Sequence, residues 1–374
     1  MMSCDIFALA NTGVQGLQPY QAGKPTEELE RELGLTDIVK LASNENPLGV
    51  SELVQATVSN EIAGLTRYPD ANGYYLKQAL AKKYGVTAEQ ITLGNGSNDV
   101  LELIARSFIA AEHEVIYAEH AFVVYPLVTQ AIGATGVAVP AKDWGHDLPA
   151  MLAAVTDKTR VIFIANPNNP TGTFLTAEAL YEFISQVPKS VIVVLDEAYF
   201  EYVADEDKAP SVNWLTEFSN LIITRTFSKA YGLAGLRVGY SISSTDIADI
   251  LNRVRQPFNC NSVALAAAEA ALQDHDFLTA SVALNNSQKG VLEAFFDAEN
   301  IRYIPSQGNF ITIELVQDPL AVYQALLHKG VIVRPVMGYG LTQHLRVSIG
   351  NENENRTFMT ALVDVLAGLR QTEQ

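Results

Sequence analysis

Apolar residues recur along the middle of the chain in two patterns that alternate with each other. In NDVLELIARSFI, four apolar residues occupy one helical face at i, i+3, i+4 and i+7, namely Leu101, Ile104, Ala105 and Phe108. Between such stretches lie short, continuous apolar runs such as EVIYA, RVIFIAN, SVIVVL and LIITRTF. Continuous runs are typical of strands that are covered on both faces, as in a parallel sheet between helices. The pattern therefore predicts a large α/β domain, doubly wound around a mostly parallel sheet, over residues 49–265.

The two ends of the chain have a different pattern. Residues 1–48 are polar and broken by Gly and Pro, with one helical stretch near TEELERELGL. After residue 265, the helical stretches NSVALAAAEAALQ and SVALNNSQKGVLEAFFDAEN precede the apolar runs FITIEL, VIVRP and HLRVSIG, and a last helix follows. This order predicts a smaller α+β domain over 266–374. We expect 1–48 to form an N-terminal arm and part of that smaller domain.

Composition and charge limit the kinds of partner. The chain has 374 residues, of which 48% are apolar and 18% are charged, so it has enough apolar mass for a large core. Its formal net charge of −17, with no run rich in Lys or Arg, disfavours a nucleic-acid partner. The two cysteines are far apart and the histidines form no HExxH motif, so we expect no disulfide framework and no metal. There is no secretory signal and no membrane-length apolar run, which predicts a soluble cytoplasmic protein.

Polar segments follow four of the predicted strands directly. They are GNGSND, NPNNPTG, DEAY and SKAYGLAGLR. Ligands of open α/β sheets bind beyond the carboxyl ends of the strands, so these segments are expected to meet. GNGSND opens a helix, and a helix N-terminus binds anions, although an ordinary turn capped by Ser97 or Asn98 is the better explanation of this segment taken by itself. The dinucleotide fingerprint GxGxxG fails at Asp99.

Three charged residues stand among apolar neighbours at these strand ends. Asp196 needs a partner, which could be a helix cap, a cation, a metal or a protonated ring nitrogen; no second ligand motif supports the metal. Lys229 either extends to solvent or has a lowered pKa that suits a Schiff base. Arg237 suits a phosphate group. A phosphate site, a partner for a ring nitrogen and an amine for an aldehyde together indicate pyridoxal 5′-phosphate. The phosphate site comprises Gly96, Ser97, Ser228 and Arg237.

With these residues the chain resembles the fold type I aminotransferases. The matching segments run from residue 40 to 350 and are KLASNENPLG, RYPD, GNGSND, NPNNPTGT, LDEAYFEY, TFSKAYGLAGLRVGY, QPFNCN and LRVSIG. The early PYQ, with SNENPLG and QPFN, is similar to the histidinol-phosphate aminotransferase branch. The resemblance implies a homodimer with shared sites that uses pyridoxal 5′-phosphate. It implies ping-pong amino transfer from L-histidinol phosphate to 2-oxoglutarate, giving imidazole acetol phosphate and L-glutamate, in histidine biosynthesis.

The resemblance also implies roles for individual residues. Lys229 would form the Schiff base with the cofactor, Asp196 would pair with its ring nitrogen, and Asn169 and Tyr199 would donate to its phenolic oxygen. Phe122 would stack on the ring, although it could equally be a core residue. The implied cofactor-binding set is Gly96, Ser97, Asn98, Phe122, Asn169, Asp196, Tyr199, Thr226, Ser228, Lys229 and Arg237, with Tyr68 from the other subunit. The implied substrate-binding set is Tyr20, Asn46, Arg334 and Arg346.

The prediction about the substrate depends on Arg346. It lies inside the apolar run HLRVSIG, where a buried arginine is costly unless an anion meets it. That anion could be a carboxylate of the chain itself, such as Glu45 or Glu352. By the resemblance it is the substrate's carboxylate or phosphate, which Arg334 and Tyr20 would also contact.

Three other functions remain open at this stage. An aromatic amino acid aminotransferase and a decarboxylase of phosphorylated amino acids would use the same cofactor. A non-catalytic, cofactor-binding regulator would need a basic DNA-binding domain, which this acidic chain lacks. The sequence alone does not fix the amino donor.

Overall fold

The protein is described by a computed structural model that covers residues 5–19 and 23–372. Its helices are α1 (Ile6–Leu9), α2 (Thr12–Gln15), α3 (Thr26–Leu33), α4 (Glu52–Glu61), α5 (Tyr74–Tyr84), α6 (Ser97–Phe108), α7 (Val124–Ile132), α8 (Leu148–Ala153), α9 (Ala177–Gln186), α10 (Thr245–Val254), α11 (Ser262–Gln273), α12 (His275–Ala298), α13 (Pro319–His328) and α14 (Glu352–Thr372). Its strands are β1 (Val39–Lys40), β2 (Ile91–Gly94), β3 (Glu114–Ala118), β4 (Thr135–Val139), β5 (Thr159–Ala165), β6 (Ile192–Asp196), β7 (Leu221–Thr226), β8 (Gly239–Ser243), β9 (Tyr303–Ile304), β10 (Phe310–Glu314), β11 (Val331–Ile332), β12 (Arg334–Pro335) and β13 (His344–Ser348).

The large sheet has seven strands in the order β2-β8-β7-β6-β5-β3-β4. Neighbouring strands from β7 to β4 are parallel, whereas β8 is antiparallel to both β7 and β2. This confirms the prediction of an α/β fold with a mostly parallel sheet. Strand β8 was not predicted, because its sequence GYSIS alternates polar and apolar residues and does not read as a continuous run.

The central strands are covered on both faces, as their continuous apolar runs require. Along β5, Ile162 and Ile164 pack with helices α5, α9 and α11, while Val161 and Phe163 pack on the opposite face with α6, α7 and α10. Successive side chains of a strand point to opposite faces, so a strand between two helical layers must be apolar at every position. This packing leaves only the strand ends available for polar chemistry.

The smaller domain is built on an antiparallel sheet in the order β12-β13-β10-β9. Helices α12, α13 and α14 pack with this sheet in one apolar cluster. The N-terminal segment contributes β1, which pairs in parallel with β11 in a separate two-stranded sheet. Helix α11 instead packs in the core of the large sheet through Ala264, Ala267 and Ala268, so by packing the smaller unit starts at α12.

Helices α12 and α14, with 24 and 21 residues, reach the length that a bilayer requires. Both contain several charged residues, such as Lys289 and Glu293 in α12 and Arg356 and Asp364 in α14. Within the described part of the chain, no helix is both long and apolar enough to cross a membrane.

Candidate active site

A cavity of about 210 Å³ opens where the parallel strands of the large sheet end. Ala165, Asp196 and Thr226, the last residues of β5, β6 and β7, all line it. Residues of the N-terminal segment and of the smaller domain close it from the other side. The structure therefore brings together here most of the site residues that the sequence indicated, namely Ser97, Asn98, Phe122, Asn169, Asp196, Tyr199, Thr226, Ser228, Lys229, Arg237, Arg334 and Arg346.

Lys229 lies just beyond β7, and backbone carbonyl groups bind its amine. Its Nζ donates to the carbonyl oxygens of Ser43 and Asn44, at 3.1 and 3.3 Å. Burial lowers the pKa of Lys229 to about 7, and the positive charges of Arg346 and Arg237 act in the same direction. An amine with this pKa is partly unprotonated at neutral pH, which is the form that attacks a carbonyl and accepts a proton.

Asp196 ends β6 with 4% of its surface exposed. Its Oδ2 accepts a hydrogen bond of 2.8 Å from the Tyr125 hydroxyl, while its Oδ1 has no hydrogen-bond partner among the described residues. Burial raises the pKa of Asp196, and the Tyr125 hydrogen bond partly offsets this. A buried carboxylate oxygen normally has a partner, so this oxygen is matched to a donor that a bound molecule supplies.

Glu197 follows Asp196 directly and serves a different purpose. Its Oε2 accepts two hydrogen bonds from Arg225, at 2.7 and 2.9 Å, and one of 3.0 Å from Ser211. Arg225 in turn lies over the ring of Phe200. Glu197 is thus part of a buried ion pair on the far side of the strand end, as expected for adjacent residues that point apart.

Asn169 and Tyr199 present donors to the cavity. The Oδ1 of Asn169 accepts a hydrogen bond of 2.5 Å from Arg346, which leaves the amide NH₂ of Asn169 as its free group. The Tyr199 hydroxyl accepts a hydrogen bond of 2.9 Å from Asn44. Burial raises the pKa of Tyr199 to about 12, so its hydroxyl keeps its hydrogen at physiological pH.

The N-terminus of α6 forms the anion-binding end of the cavity. Gly96 precedes the helix at φ 86° and no side chain caps it, so neither Ser97 nor Asn98 acts as the cap. A Cβ at position 96 would collide with the Arg237 guanidinium. Arg237 donates to Ser228 Oγ at 3.2 Å and is exposed, so it lies at the mouth of the cavity and is not shielded from water. Free helix N–H groups beside a guanidinium are well suited to a phosphate.

Arg334 and Arg346 face each other across the small sheet. They are direct partners in the antiparallel pair β12–β13, and both line the cavity. Guanidinium groups suit the oxyanion of a carboxylate or a phosphate. Of the two carboxylates that the sequence offered as partners, Glu45 pairs with Lys40, and Glu352 lies 3.9 Å from Arg356.

Besides Gly96, which directly precedes α6, three predicted site residues are not among those that line the described cavity. Asn46 donates to the Ala230 carbonyl and to Ser281 Oγ, and its neighbour Asn44 lines the cavity in its place. Tyr68 is 83% exposed and stacks on Phe258. Tyr20 lies outside the described residues.

Two residues of the site were missed by sequence reasoning. Asn44 belongs to the motif SNENPLG, in which the sequence analysis singled out Asn46. Tyr125 lies in the apolar segment AFVVYP and gives no local signal of a polar role. Only the fold shows that these two side chains reach Tyr199 and Asp196.

The residues fit pyridoxal 5′-phosphate group by group. The unpartnered oxygen of Asp196 matches a protonated ring nitrogen, and the donors of Asn169 and Tyr199 match a phenolic oxygen. The amine of Lys229 matches an aldehyde, and the open start of α6 matches a phosphate.

Comparisons with known proteins agree with this geometry. The family profile described as "Aminotransferase class I and II" matches residues 36–362. The "Histidinol-phosphate aminotransferase 1" of Idiomarina loihiensis is 59% identical over 362 residues, covering 97% of this chain and 99% of the relative. The "Histidinol-phosphate aminotransferase 2" of Pasteurella multocida is 58% identical, covering 96% of this chain and 98% of the relative.

Solved structures resemble the chain over almost its whole length. A histidinol-phosphate aminotransferase from Sinorhizobium meliloti, in complex with pyridoxal-5′-phosphate, matches with a TM-score of 0.88 and 29% identity over 96% of this chain and 97% of that one. A double mutant of Thermus thermophilus aspartate aminotransferase matches with a TM-score of 0.83 and 22% identity over 95% and 99%. The second match shows only the fold, which is the type I fold of pyridoxal-phosphate enzymes.

Proposed function

The chain belongs to the aminotransferase class I and II family, and on this basis we propose that it is a pyridoxal-phosphate-dependent histidinol-phosphate transaminase. It transfers the amino group of L-histidinol phosphate to 2-oxoglutarate, giving imidazole acetol phosphate and L-glutamate, as a step of histidine biosynthesis. The observation that carries the proposal is the facing pair Arg334 and Arg346 beside the cofactor-binding residues.

When bound, pyridoxal phosphate draws electrons away from the substrate Cα and so makes its proton easier to remove. Lys229 is placed to accept that proton at Nζ and to return it, since a pKa of about 7 serves both directions near neutral pH. Asp196 holds a ring-nitrogen proton with its Oδ1. Asn169 and Tyr199 hold the phenolic oxygen with an amide and a hydroxyl hydrogen.

The two arginines account for both substrates of the proposed reaction. Histidinol phosphate carries a phosphate monoester, and glutamate carries carboxylates. Guanidinium groups bind both kinds of oxyanion with paired hydrogen bonds. Arg346 is 6% exposed and is held by Asn169 and by the Ala42 carbonyl, so it is fixed before the substrate arrives. Tyr20 would add a hydroxyl from the N-terminal segment.

We also propose a cytoplasmic homodimer with shared sites. Tyr68 is exposed, as are Ile62, Leu65, Tyr74 and Tyr75 close to it in the sequence, and a second copy of the chain would cover these side chains. The tyrosine hydroxyl could then reach the phosphate end of the partner's cavity. The cytoplasmic assignment rests on the biosynthetic role and on Cys260, which is a free buried cysteine.

Initial rates with histidinol phosphate, phenylalanine and aspartate as donors, each with 2-oxoglutarate, test the proposal. We expect histidinol phosphate to have the highest kcat/KM and to yield its oxo product without carbon dioxide. A preference for phenylalanine would assign the chain to aromatic transamination. Release of carbon dioxide from a phosphorylated amino acid would assign it to decarboxylation.

A further inference from the structure

Asn44 lies at the meeting point of the N-terminal segment and both domains, and it is 1% exposed. Each of its polar groups has a partner. Its backbone N–H donates to Ser348 Oγ at 2.8 Å, and its carbonyl accepts from Lys229 Nζ at 3.3 Å and from Asn309 Nδ2 at 3.0 Å. Its side chain contacts Tyr199 and Ser348. One buried residue thus touches two of the groups that face the cofactor.

The Ser348 hydroxyl fixes the orientation of the Asn44 side-chain amide. Ser348 Oγ already accepts the Asn44 N–H, so its single hydrogen is available to Asn44 Oδ1, which lies 3.0 Å away. This places Nδ2 against the Tyr199 hydroxyl, at 2.9 Å. The opposite orientation would leave the buried Ser348 hydrogen without an acceptor, which is unfavourable.

The orientation of the amide decides what Tyr199 can do. Since Nδ2 only donates, Tyr199 must accept from Asn44, and its own single hydrogen is left for the cavity. The raised pKa of Tyr199, about 12, keeps that hydrogen in place. If an acceptor atom occupied the position of Asn44 Nδ2, the Tyr199 hydroxyl would donate its hydrogen to that atom and not to the cavity.

The backbone of Asn44 explains why this residue is an asparagine. Its φ of 54° lies in the left-handed region, which glycine, asparagine and aspartate tolerate best. Of these three, glycine has no side-chain amide and ionised aspartate has no donor. Asparagine alone combines the conformation with the hydrogen that Tyr199 accepts.

We propose that Asn44 is a positioning residue that makes Tyr199 a hydrogen-bond donor towards the phenolic oxygen of the cofactor. The inference rests on the proposed cofactor but not on the proposed substrate. Its test therefore uses cofactor alone, so that it can succeed or fail whether or not histidinol phosphate is the substrate.

Asn44→Gly keeps the backbone conformation and removes the amide, and Tyr199→Phe removes the hydroxyl. A donor at the phenolic oxygen favours its deprotonated form, so losing that donor should raise the pH midpoint of the near-visible absorption band of the bound cofactor. We expect each variant to shift this midpoint upward by about half a unit to one unit and to raise the Kd for cofactor by roughly two- to tenfold.

The double variant distinguishes positioning from general loosening. If Asn44 acts through Tyr199, the double variant has the midpoint of Tyr199→Phe alone, because effects of residues that act as a unit do not add. Additive shifts, or an unshifted midpoint in Asn44→Gly, would overturn the proposal. Asn44→Asp gives a second test should the glycine variant fold poorly: its ionised side chain has no donor, so we expect an upward shift as well.

Asn309→Ala is the matched control. It removes the hydrogen bond to the Asn44 carbonyl but leaves the Asn44 amide and Tyr199 in place. We expect it to lower the melting temperature without moving the midpoint. A midpoint shift as large as that of Asn44→Gly would mean that any loosening of this segment has the same effect, and would contradict the specific role.

Discussion

Replacing Tyr125 with phenylalanine removes one hydroxyl and little else. The ring lies parallel to that of Phe163 with centroids 4.5 Å apart, and phenylalanine retains this stacking. What is lost is the 2.8 Å hydrogen bond to Asp196 Oδ2. A hydrogen bond to a charged group contributes about 1.5–3 kcal/mol, and one pKa unit corresponds to about 1.4 kcal/mol. The Asp196 pKa, already raised by burial, should therefore rise by a further one to two units or so.

The sign of the effect on cofactor binding follows from which form of Asp196 binds. Only the ionised carboxylate pairs with a protonated ring nitrogen, so cofactor affinity falls when the pH drops below the Asp196 pKa. In Tyr125→Phe this fall should begin at a pH about one to two units higher than in the wild type. Equilibrium titration of the cofactor-free protein with pyridoxal phosphate, repeated from about pH 5 to 8, measures it.

Tyr117→Phe is a suitable control, since Tyr117 packs in the same apolar cluster as Tyr125. It should leave the pH dependence unchanged. Asp196→Asn should bind cofactor weakly at every pH in the range and should show only the pH dependence that protonation of Lys229 causes. Superimposable curves for Tyr125→Phe and the wild type would refute the assignment of Tyr125 as the partner that holds Asp196 ionised.

Three further predictions follow from the site. Arg346→Ala should slow single-turnover rates with both histidinol phosphate and glutamate by about one to two powers of ten, whereas Arg334→Ala should affect the phosphorylated substrate more; unchanged rates in Arg346→Ala would exclude it as the anion anchor. Tyr68→Phe should raise the Kd for cofactor without lowering the melting temperature, and a fully active monomer at assay concentration would contradict the shared site. The Lys229 pKa falls from its unfolded value to about 7 on folding, so the cofactor-free protein should lose stability as the pH drops from about 10 to 7. Lys229→Met should therefore be more stable than the wild type at pH 7 but not near pH 10. Parallel stability curves for the two proteins would argue against the lowered pKa.

Most of the large domain could be predicted from the sequence, because strands buried on both faces have continuous runs of apolar residues. The stretches VIFIA in β5, IVVL in β6 and LII in β7 are apolar at every position, and polar residues that follow the last two, Asp196 and Thr226, lie at the edge where the cavity forms. Asp196 and Lys229 could therefore be singled out from their setting as candidate site residues. Strand β8 was not, because the residues GYSIS alternate in polarity although all five are buried.

The contacts that tune the site could not be predicted from local pattern. Tyr125 lies among apolar residues, and its partner Asp196 is 71 residues further along the chain. In SNENPLG, which asparagine enters the cavity depends on a left-handed backbone at Asn44, a property that the sequence leaves undetermined between two residues of the same type. The exposure of Arg237 likewise depends on where the mouth of the cavity opens.

A single-turnover experiment with L-histidinol phosphate and the cofactor-loaded protein, in the absence of any acceptor, provides the decisive measurement. We expect the near-visible band to disappear and imidazole acetol phosphate to form in an amount stoichiometric with the active sites, with no carbon dioxide. Subsequent addition of 2-oxoglutarate should restore the band and release an equal amount of glutamate. A band that histidinol phosphate leaves unchanged, or one lost with release of carbon dioxide, would contradict the proposed transamination.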